Sequence, residues 1–143
     1  MQLIGTKDRF TQSYYILGYL NTNFNTIKQP IKFTISITTK NTNISYKDAI
    51  SIGLDLSKLK DEEPQNKYVM LPRKIIPEGS IIFMSATMKT GVIEFFRQIS
   101  VDSPTITSVK DMQDYSLVPS VLGRDILKGY KITLQEDYII LEK

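Results

Sequence analysis

The chain has 143 residues, 41% of them hydrophobic and 23% charged, and carries a net charge of +3 at pH 7, a size and balance typical of a globular domain with its own core. It contains neither cysteine nor histidine, which excludes disulfides, thiolate catalysis, serine–histidine catalysis and metal sites built from thiolate or imidazole ligands. Any acid–base chemistry has to come from aspartate, glutamate, lysine or tyrosine.

The sequence also gives no sign of a membrane segment or a metal site. No segment has the ~18 apolar residues of a membrane span, and Met1–Asp8 lacks the basic start and apolar stretch of a signal peptide. We therefore expect a cytoplasmic protein with no membrane contact. Glu62-Glu63 and the pair Asp111 and Asp114 lack the spacing of a calcium loop, and we expect no metal and no cofactor.

Short strand-like runs dominate the first part of the chain. Tyr14–Leu20 is rich in aromatic and aliphatic residues and predicts a strand, which a turn at Asn21–Thr26 ends. Ile31–Ile37 alternates apolar with polar residues, the period of a half-buried strand. Thr38–Asn43 is polar throughout and predicts a loop.

The best helix candidate is Ser45–Leu54. Ser45 can cap its first turn, Asp48 stands where a capping box places an acid, and Gly53 is a typical helix end. The charged, proline-containing stretch Ser57–Asn66 that follows predicts a solvated loop.

The middle of the chain predicts more strands. Tyr68–Leu71 and Ile81–Met84 are expected on either side of a turn at Pro77–Gly79. Val92–Val101 predicts a further strand, after a turn at Lys89–Gly91.

The last part of the chain predicts a short helix and a hairpin. Arg124–Lys128 is the helix, which Gly129 ends, and Lys131–Leu134 and Tyr138–Leu141 are the hairpin strands. Many short strands, two short helices and no internal repeat favour one mainly-β domain over residues 1–143, a barrel or a sandwich.

Two segments resemble a known family. Leu117–Leu127, with Gly123, Arg124 and Asp125 at its centre, resembles the hydrophobic-hydrophobic-Gly-Arg-Asp segment of retropepsin-like aspartic proteases, which crosses behind the catalytic loop and leads into a short helix. Thr42–Leu54 is similar to the family segment that follows the catalytic loop. The resemblance implies a small closed barrel like one retropepsin protomer, with one or two short helices. The alternative is another small β barrel with a similar strand-to-helix turn, in which Asp125 stabilises the helix start.

The catalytic Asp-Thr/Ser-Gly motif of that family is missing from the sequence. Counting back from Thr42, the resemblance places Ser36 at the catalytic aspartate, Ile37 at the Thr/Ser position and Thr38 at the glycine. A degenerate catalytic loop is therefore expected, with no catalytic residue.

A further departure concerns Arg124. Lys40 stands where retroviral members carry an aspartate that pairs with the arginine of Gly-Arg-Asp. Arg124 is therefore expected to find another acid, with Asp125, Asp48 and Asp114 as the candidates.

The missing catalytic motif affects the chemistry that the protein is expected to perform. The family mechanism needs two carboxylates, one from each protomer, that share a proton. Ser36 can take neither role without a base, and there is no histidine to supply one. We expect a non-catalytic retropepsin-like module, a pseudoprotease that acts in protein–protein interaction. The rival hypothesis is an active aspartic endopeptidase with an unconventional acid, Asp125 or Asp48.

The resemblance also implies partners. It predicts a two-fold homodimer with the Ser36–Lys40 loops near the axis and terminal strands that pair across the interface. It also predicts a groove that binds an extended peptide segment by strand addition, under a flap hairpin that turns at Pro77–Gly79 or at Lys89–Gly91. Weak nucleic-acid binding is the alternative from another class, because the chain has eight tyrosines and a pI near 9.0. The scattered basic residues do not favour it.

Overall fold

The computed structural model describes residues 2–23, 29–62, 72–86 and 91–143. Within these ranges the protein is mainly β, which confirms the predicted class. No helix in the same ranges is long and apolar enough to cross a membrane. The helices are Tyr46–Ser51 (α1), Val109–Ser116 (α2) and Arg124–Leu127 (α3). The strands are Gln2–Lys7 (β1), Tyr14–Asn21 (β2), Ile31–Ile35 (β3), Asn43–Ile44 (β4), Lys60–Asp61 (β5), Arg73–Ile76 (β6), Gly79–Met84 (β7), Val92–Phe96 (β8), Ile99–Asp102 (β9), Ser120–Leu122 (β10), Lys131–Leu134 (β11) and Tyr138–Glu142 (β12).

The strands form one sheet that is not closed in the described part of the chain. Its main path runs β11-β12-β1-β2-β3-β10-β4-β9-β6-β5, and β7 pairs with β2 and carries β8 on its other edge. Within the described residues no pairing joins β11 to β5, so the sheet is open, with one branch at β2, and does not form the expected closed barrel. The terminal strands are not free edges, contrary to expectation, because β12 lies between β11 and β1, and β1 lies between β12 and β2.

The core forms where the inward faces of these strands meet. In β3, Ile31 and Phe33 are buried while Lys32 between them is exposed, as the alternating pattern predicted. Phe33 meets Phe83 of β7 edge-on, with ring centroids 6.2 Å apart and planes at 70°, the arrangement that aromatic pairs prefer. These contacts hold the β2–β3 hairpin, and with it the end of β3, in a fixed place.

The predicted N-terminal helix is confirmed, although it is shorter than Ser45–Leu54. The Ser45 side chain accepts a hydrogen bond from the Asp48 backbone N–H, as a capping box requires. The helix ends before Gly53, whose φ of +76° is the left-handed conformation that favours glycine after a helix. β3 is also shorter than the predicted strand Ile31–Ile37 and ends at Ile35.

Several predicted elements differ in the structure. Val92–Val101 is two strands, because β8 pairs with β7 whereas β9 pairs with β4 and β6. The chain therefore changes neighbours between them. The start of the predicted loop Ser57–Asn66 contains a 3₁₀ turn and β5, anchored by buried Leu59. Tyr68–Leu71 lies outside the described residues, as do parts of the turns predicted at Asn21–Thr26 and Lys89–Gly91.

The turn predicted at Pro77–Gly79 does not make a hairpin. The strands on its two sides, β6 and β7, pair with different neighbours, β6 with β5 and β9, and β7 with β2 and β8. A hairpin that sequence analysis did not predict is formed instead by β5 and β6, with Lys60 opposite Ile75.

Two further elements were not predicted. β1 pairs along its length with β12, with Leu3 opposite Leu141, and both side chains are buried. α2 begins after Ser108, whose side chain accepts a hydrogen bond from the Asp111 N–H at 3.1 Å. This Ser-x-x-Asp spacing is a capping box.

Candidate functional site

The site expected from the sequence lies where β10 passes between β3 and β4. β10 runs parallel to β3, with Val121 opposite Thr34, and antiparallel to β4, with Val121 opposite Asn43. β3 and β4 are neighbours in sequence, but in the sheet they are separated by β10, a strand from near the C-terminus. Residues 36–42, here called the crossover loop, must pass over the end of β10 to join them.

Backbone hydrogen bonds fix the crossover loop to the chain that follows β10. The Ser36 N–H donates to the Leu122 carbonyl at 3.0 Å, so Ser36 lies beside the Leu122–Gly123 turn. The Arg124 N–H donates to the Thr39 carbonyl at 2.8 Å, and the Asp125 N–H to the Lys40 carbonyl at 3.1 Å. The loop and the start of α3 therefore form one rigid unit.

Gly123 is required by close packing at this junction. A β-carbon placed on it would lie 2.7 Å from the Asn41 carbonyl carbon and 2.9 Å from the Thr39 carbonyl oxygen. These are backbone atoms that cannot rotate away. Only glycine lets the loop lie this close to the turn.

Asp125 secures the far end of the loop. Its carboxylate accepts hydrogen bonds from the Thr42 N–H at 3.0 Å and from the Thr42 hydroxyl at 2.6 Å, and from the Ile126 N–H at 2.9 Å. Thr42 Oγ1 in turn accepts a hydrogen bond from the Gly123 N–H at 3.0 Å. Asp125 thus links the loop, the turn and α3.

The loop residues at the expected catalytic positions carry only hydroxyl and aliphatic groups. Ser36 Oγ lies 3.2 Å from Thr38 Oγ1 and 2.8 Å from Thr39 Oγ1. Ile37 points outward and is 54% exposed. No carboxylate or amine lies within hydrogen-bond distance of Ser36 in the described ranges. A hydroxyl cluster of this kind has no group that could remove a proton from serine or from water.

Asp48, the other candidate acid, belongs to a buried structural network. Its Oδ2 accepts from the Ser120 hydroxyl at 2.5 Å and from the Ser45 hydroxyl at 3.0 Å, and both serines are fully buried. The Ser45 N–H also donates to Ser120 Oγ at 2.9 Å. The network ties the start of α1 to β10, which holds Asp48 away from the loop hydroxyls.

Arg124 is exposed and, within the described ranges, has no ion pair. The three acids considered for it, Asp125, Asp48 and Asp114, therefore do not pair with it. The first two make the hydrogen bonds described above.

A cavity that sequence analysis did not anticipate lies beside the crossover loop. Its volume is about 230 Å³, and it lies between the loop, α3, β9 and the β5–β6 hairpin. The Ser100 hydroxyl of β9 donates to Glu62 Oε1 at 2.8 Å across it. Sequence analysis considered Glu62 only as a candidate metal ligand, and no sequence signal connects it with Ser100. The lining residues are Asn41, Thr42, Glu62, Gln98, Ser100 and Asp125.

Comparison with known proteins supports the fold alone. No protein-family model and no curated protein matches the chain. Among solved structures, a retropepsin-like aspartic protease from Rickettsia conorii is similar over 99% of this chain and 90% of that one, with 20% sequence identity and a TM-score of 0.58. The strand threading around the crossover loop and this similarity lead to the same conclusion: the chain has a retropepsin-like fold.

Proposed function

We propose that this protein is a non-catalytic retropepsin-like module that binds an extended segment of a partner protein. The composition of the crossover loop carries this proposal. The retropepsin mechanism uses a carboxylate from each protomer, whereas Ser36, Ile37 and Thr38 offer only hydroxyl and methyl groups. Ser36 Oγ contacts other hydroxyls and no base.

The rival hypothesis, an endopeptidase with an unconventional acid, receives no support from the two candidate acids. Asp125 accepts its hydrogen bonds from Thr42 and Ile126, and Asp48 from two buried serines. A carboxylate that serves as such an anchor cannot move to a water molecule without breaking the contacts that hold the loop.

The groove that we propose for the partner segment runs between the crossover loop and the β5–β6 hairpin. Glu62 follows β5 directly, and its N–H donates to the Arg73 carbonyl at 2.9 Å, which continues the hairpin pairing past β5. This hairpin, rather than one turning at Pro77–Gly79 or Lys89–Gly91, lies next to the loop and is our candidate for the flap. A bound segment would gain main-chain hydrogen bonds by lying alongside a strand, and selectivity from side-chain contacts.

We also propose a two-fold homodimer in which the crossover loops of the two copies meet. Ile37 is an exposed aliphatic side chain at the tip of this loop, and burying it against its symmetry mate would remove apolar surface from water. β1 and β12 each have a neighbouring strand on both sides, so the proposed dimer rests on the crossover loop and not on the terminal strands.

A cleavage assay tests the loss of catalysis. The protein is incubated with an unstructured protein between about pH 3 and 7, the range in which carboxylate pairs share a proton, and the products are read by mass spectrometry. We expect no cleavage. Cleavage that an Asp125→Asn or Asp48→Asn change abolishes would establish the rival enzyme instead.

A peptide-binding assay tests the interaction role. Extended peptides from a random library are panned against the protein, and binding is measured at about 50 and 200 mM salt. We expect peptide binding that changes little with salt. Affinity for single-stranded DNA or RNA that falls steeply over this range, without peptide binding, would favour the nucleic-acid alternative.

A further inference from the structure

Among the described residues, the side chains that line the cavity beside the crossover loop are all polar, and none of them is basic. Two carboxylates, Glu62 and Asp125, face it together with two amides and two hydroxyls. Its volume of about 230 Å³ is enough for one long side chain but too small for a folded partner. A site of this composition favours a group that donates hydrogen bonds.

Neither carboxylate has a cationic partner in the described part of the chain. Glu62 Oε1 accepts from the neutral Ser100 hydroxyl, and Asp125 accepts from Thr42 and Ile126. The ion pairs in the same ranges involve other acids, namely Asp8, Asp61, Glu94 and Asp102. No lysine or arginine among the described residues therefore balances the two negative charges of the cavity.

Among the described residues, the sheet face beside the cavity carries one more acceptor with no hydrogen-bond partner, the side-chain oxygen of Asn43. Asn43 lies opposite Ser100, and the next residues, Ile44 and Val101, are buried in the core, so Asn43 and Ser100 share the cavity side of the sheet. Asn43 Oδ1 is buried and unpaired. Asp102, two residues beyond Ser100 on this face, is 3% exposed and forms an ion pair with Arg73, whose Nε lies 3.4 Å from its Oδ1.

We propose that this cavity binds a lysine or arginine side chain of the partner segment, an inference that rests on the proposed peptide-binding function. Glu62 and Asp125 accept hydrogen bonds from neutral donors alone among the described residues, so a charged donor that reaches them adds a stronger interaction. An ammonium or guanidinium group supplies several donors and a positive charge, and it would bind between Glu62 and Asp125. An aliphatic side chain would exclude water from both carboxylates without supplying a positive charge to balance them.

Titration with single-residue probes tests the cavity independently of any peptide. Acetyl-lysine and acetyl-arginine methylamides are added to ¹⁵N-labelled protein and compared with uncharged acetyl-norleucine methylamide. We expect the charged probes to shift the backbone resonances of Thr42, Gln98 and Ser100 and to bind at least about fivefold more tightly than norleucine. Equal binding of all three probes, or shifts elsewhere only, would overturn the inference.

Matched variants assign the effect to the cavity. Glu62→Gln keeps an oxygen that can accept from Ser100 but removes the charge, and it should weaken binding of the charged probes about fivefold. Glu136→Gln removes the same charge from the exposed turn between β11 and β12 and should leave binding unchanged. If both variants weaken binding equally, general charge attraction explains it and the inference fails.

A peptide panel separates failure of this inference from failure of the proposed function. Peptides from the binding assay are scanned position by position with lysine, arginine, norleucine and glutamate. A requirement for a basic residue at one position, relaxed by Glu62→Gln, supports both proposals. Peptide binding without any basic preference keeps the module and rejects the cavity inference. Binding of the charged probes without any peptide binding would support a site for basic groups in the cavity and would reject the proposed peptide-binding function.

Discussion

At the scale of single residues, the carboxylates around the crossover loop serve as structural hydrogen-bond acceptors. Asp125 receives hydrogen bonds from two backbone N–H groups and one hydroxyl at the junction of loop and helix. Its side chain is half-buried, so water cannot fully replace these contacts if they are lost.

Replacing Asp125 with alanine should therefore lower the free energy of unfolding by about 2–3 kcal/mol, because the Thr42 N–H is left without its acceptor. Urea denaturation measures the change. Asp114→Ala, which removes an exposed carboxylate from the last turn of α2, serves as the control and should change stability by less than about 0.5 kcal/mol. Equal effects of the two changes would contradict the structural role of Asp125.

A second prediction at the scale of single residues concerns Tyr130 and the dependence of stability on pH. Burial, and then its hydrogen bond to Glu94, raises the pKa of the Tyr130 phenol well above its ordinary value. Below about pH 10 the phenol is neutral in both the folded and the unfolded chain. Above about pH 10 the Tyr130 phenol ionises in the unfolded chain before it does so in the folded chain. The free energy of unfolding should therefore fall as the pH rises towards the folded-state pKa.

Denaturant unfolding at a series of pH values above about 9 measures this loss. Tyr130→Phe should be less stable at neutral pH but should lose less stability as the pH rises. Tyr138→Phe, at an exposed tyrosine of β12, should keep the wild-type slope. An unchanged slope in Tyr130→Phe would show that this phenol is not the group responsible.

At the scale of elements, the crossover loop depends on the turn that β10 feeds. Gly123→Ala should destabilise the protein by about 1–3 kcal/mol, because the new methyl group meets the backbone of Asn41 and Thr39. Thermal unfolding followed by circular dichroism measures the loss. Gly129→Ala is the matched control, since its nearest neighbour is the flexible end of the Lys143 side chain, and it should cost clearly less.

The elements that sequence analysis predicted well carry their signals locally. Ser45, Asp48 and Gly53 define both ends of α1 within nine positions of sequence, and the alternation in β3 reports directly which side chains face the core. The same capping rule applied to Ser108 and Asp111 would have revealed α2.

The elements that sequence analysis missed depend on pairing between segments that are distant in sequence. Nothing in Arg73–Met84 indicates that its two halves pair with different strands, because each half alone is a normal strand. Glu62 reaches Ser100 only after the β5–β6 hairpin folds against β9. The crossover loop could be aligned by counting back from Thr42, in the segment Thr42–Leu54 that resembles the family, whereas the cavity beside the loop is a product of tertiary structure.

At the scale of the whole molecule, the proposed dimer makes a prediction about assembly. Ile37→Glu would place two like charges where the crossover loops meet and should convert a dimer to a monomer in light scattering. Ile50→Glu is a control of matched exposure, 53% against 54%, on α1, and it should remain dimeric. A wild-type protein that is monomeric at all concentrations would reject the dimer and leave the protomer fold intact.

The position of β10 also sets the order in which the protein can fold. β3 and β4 emerge early from the ribosome, but the gap between them can be filled only after residues 120–122 have been synthesised. Until then, the hydrogen-bonding edges of both strands are open to other chains. Closing so long a stretch of chain slows folding. The centre of the sheet therefore forms only after β10 has been synthesised. Ribosome stalling before residue 120 would leave exposed the edges of β3 and β4 that β10 covers in the folded protein.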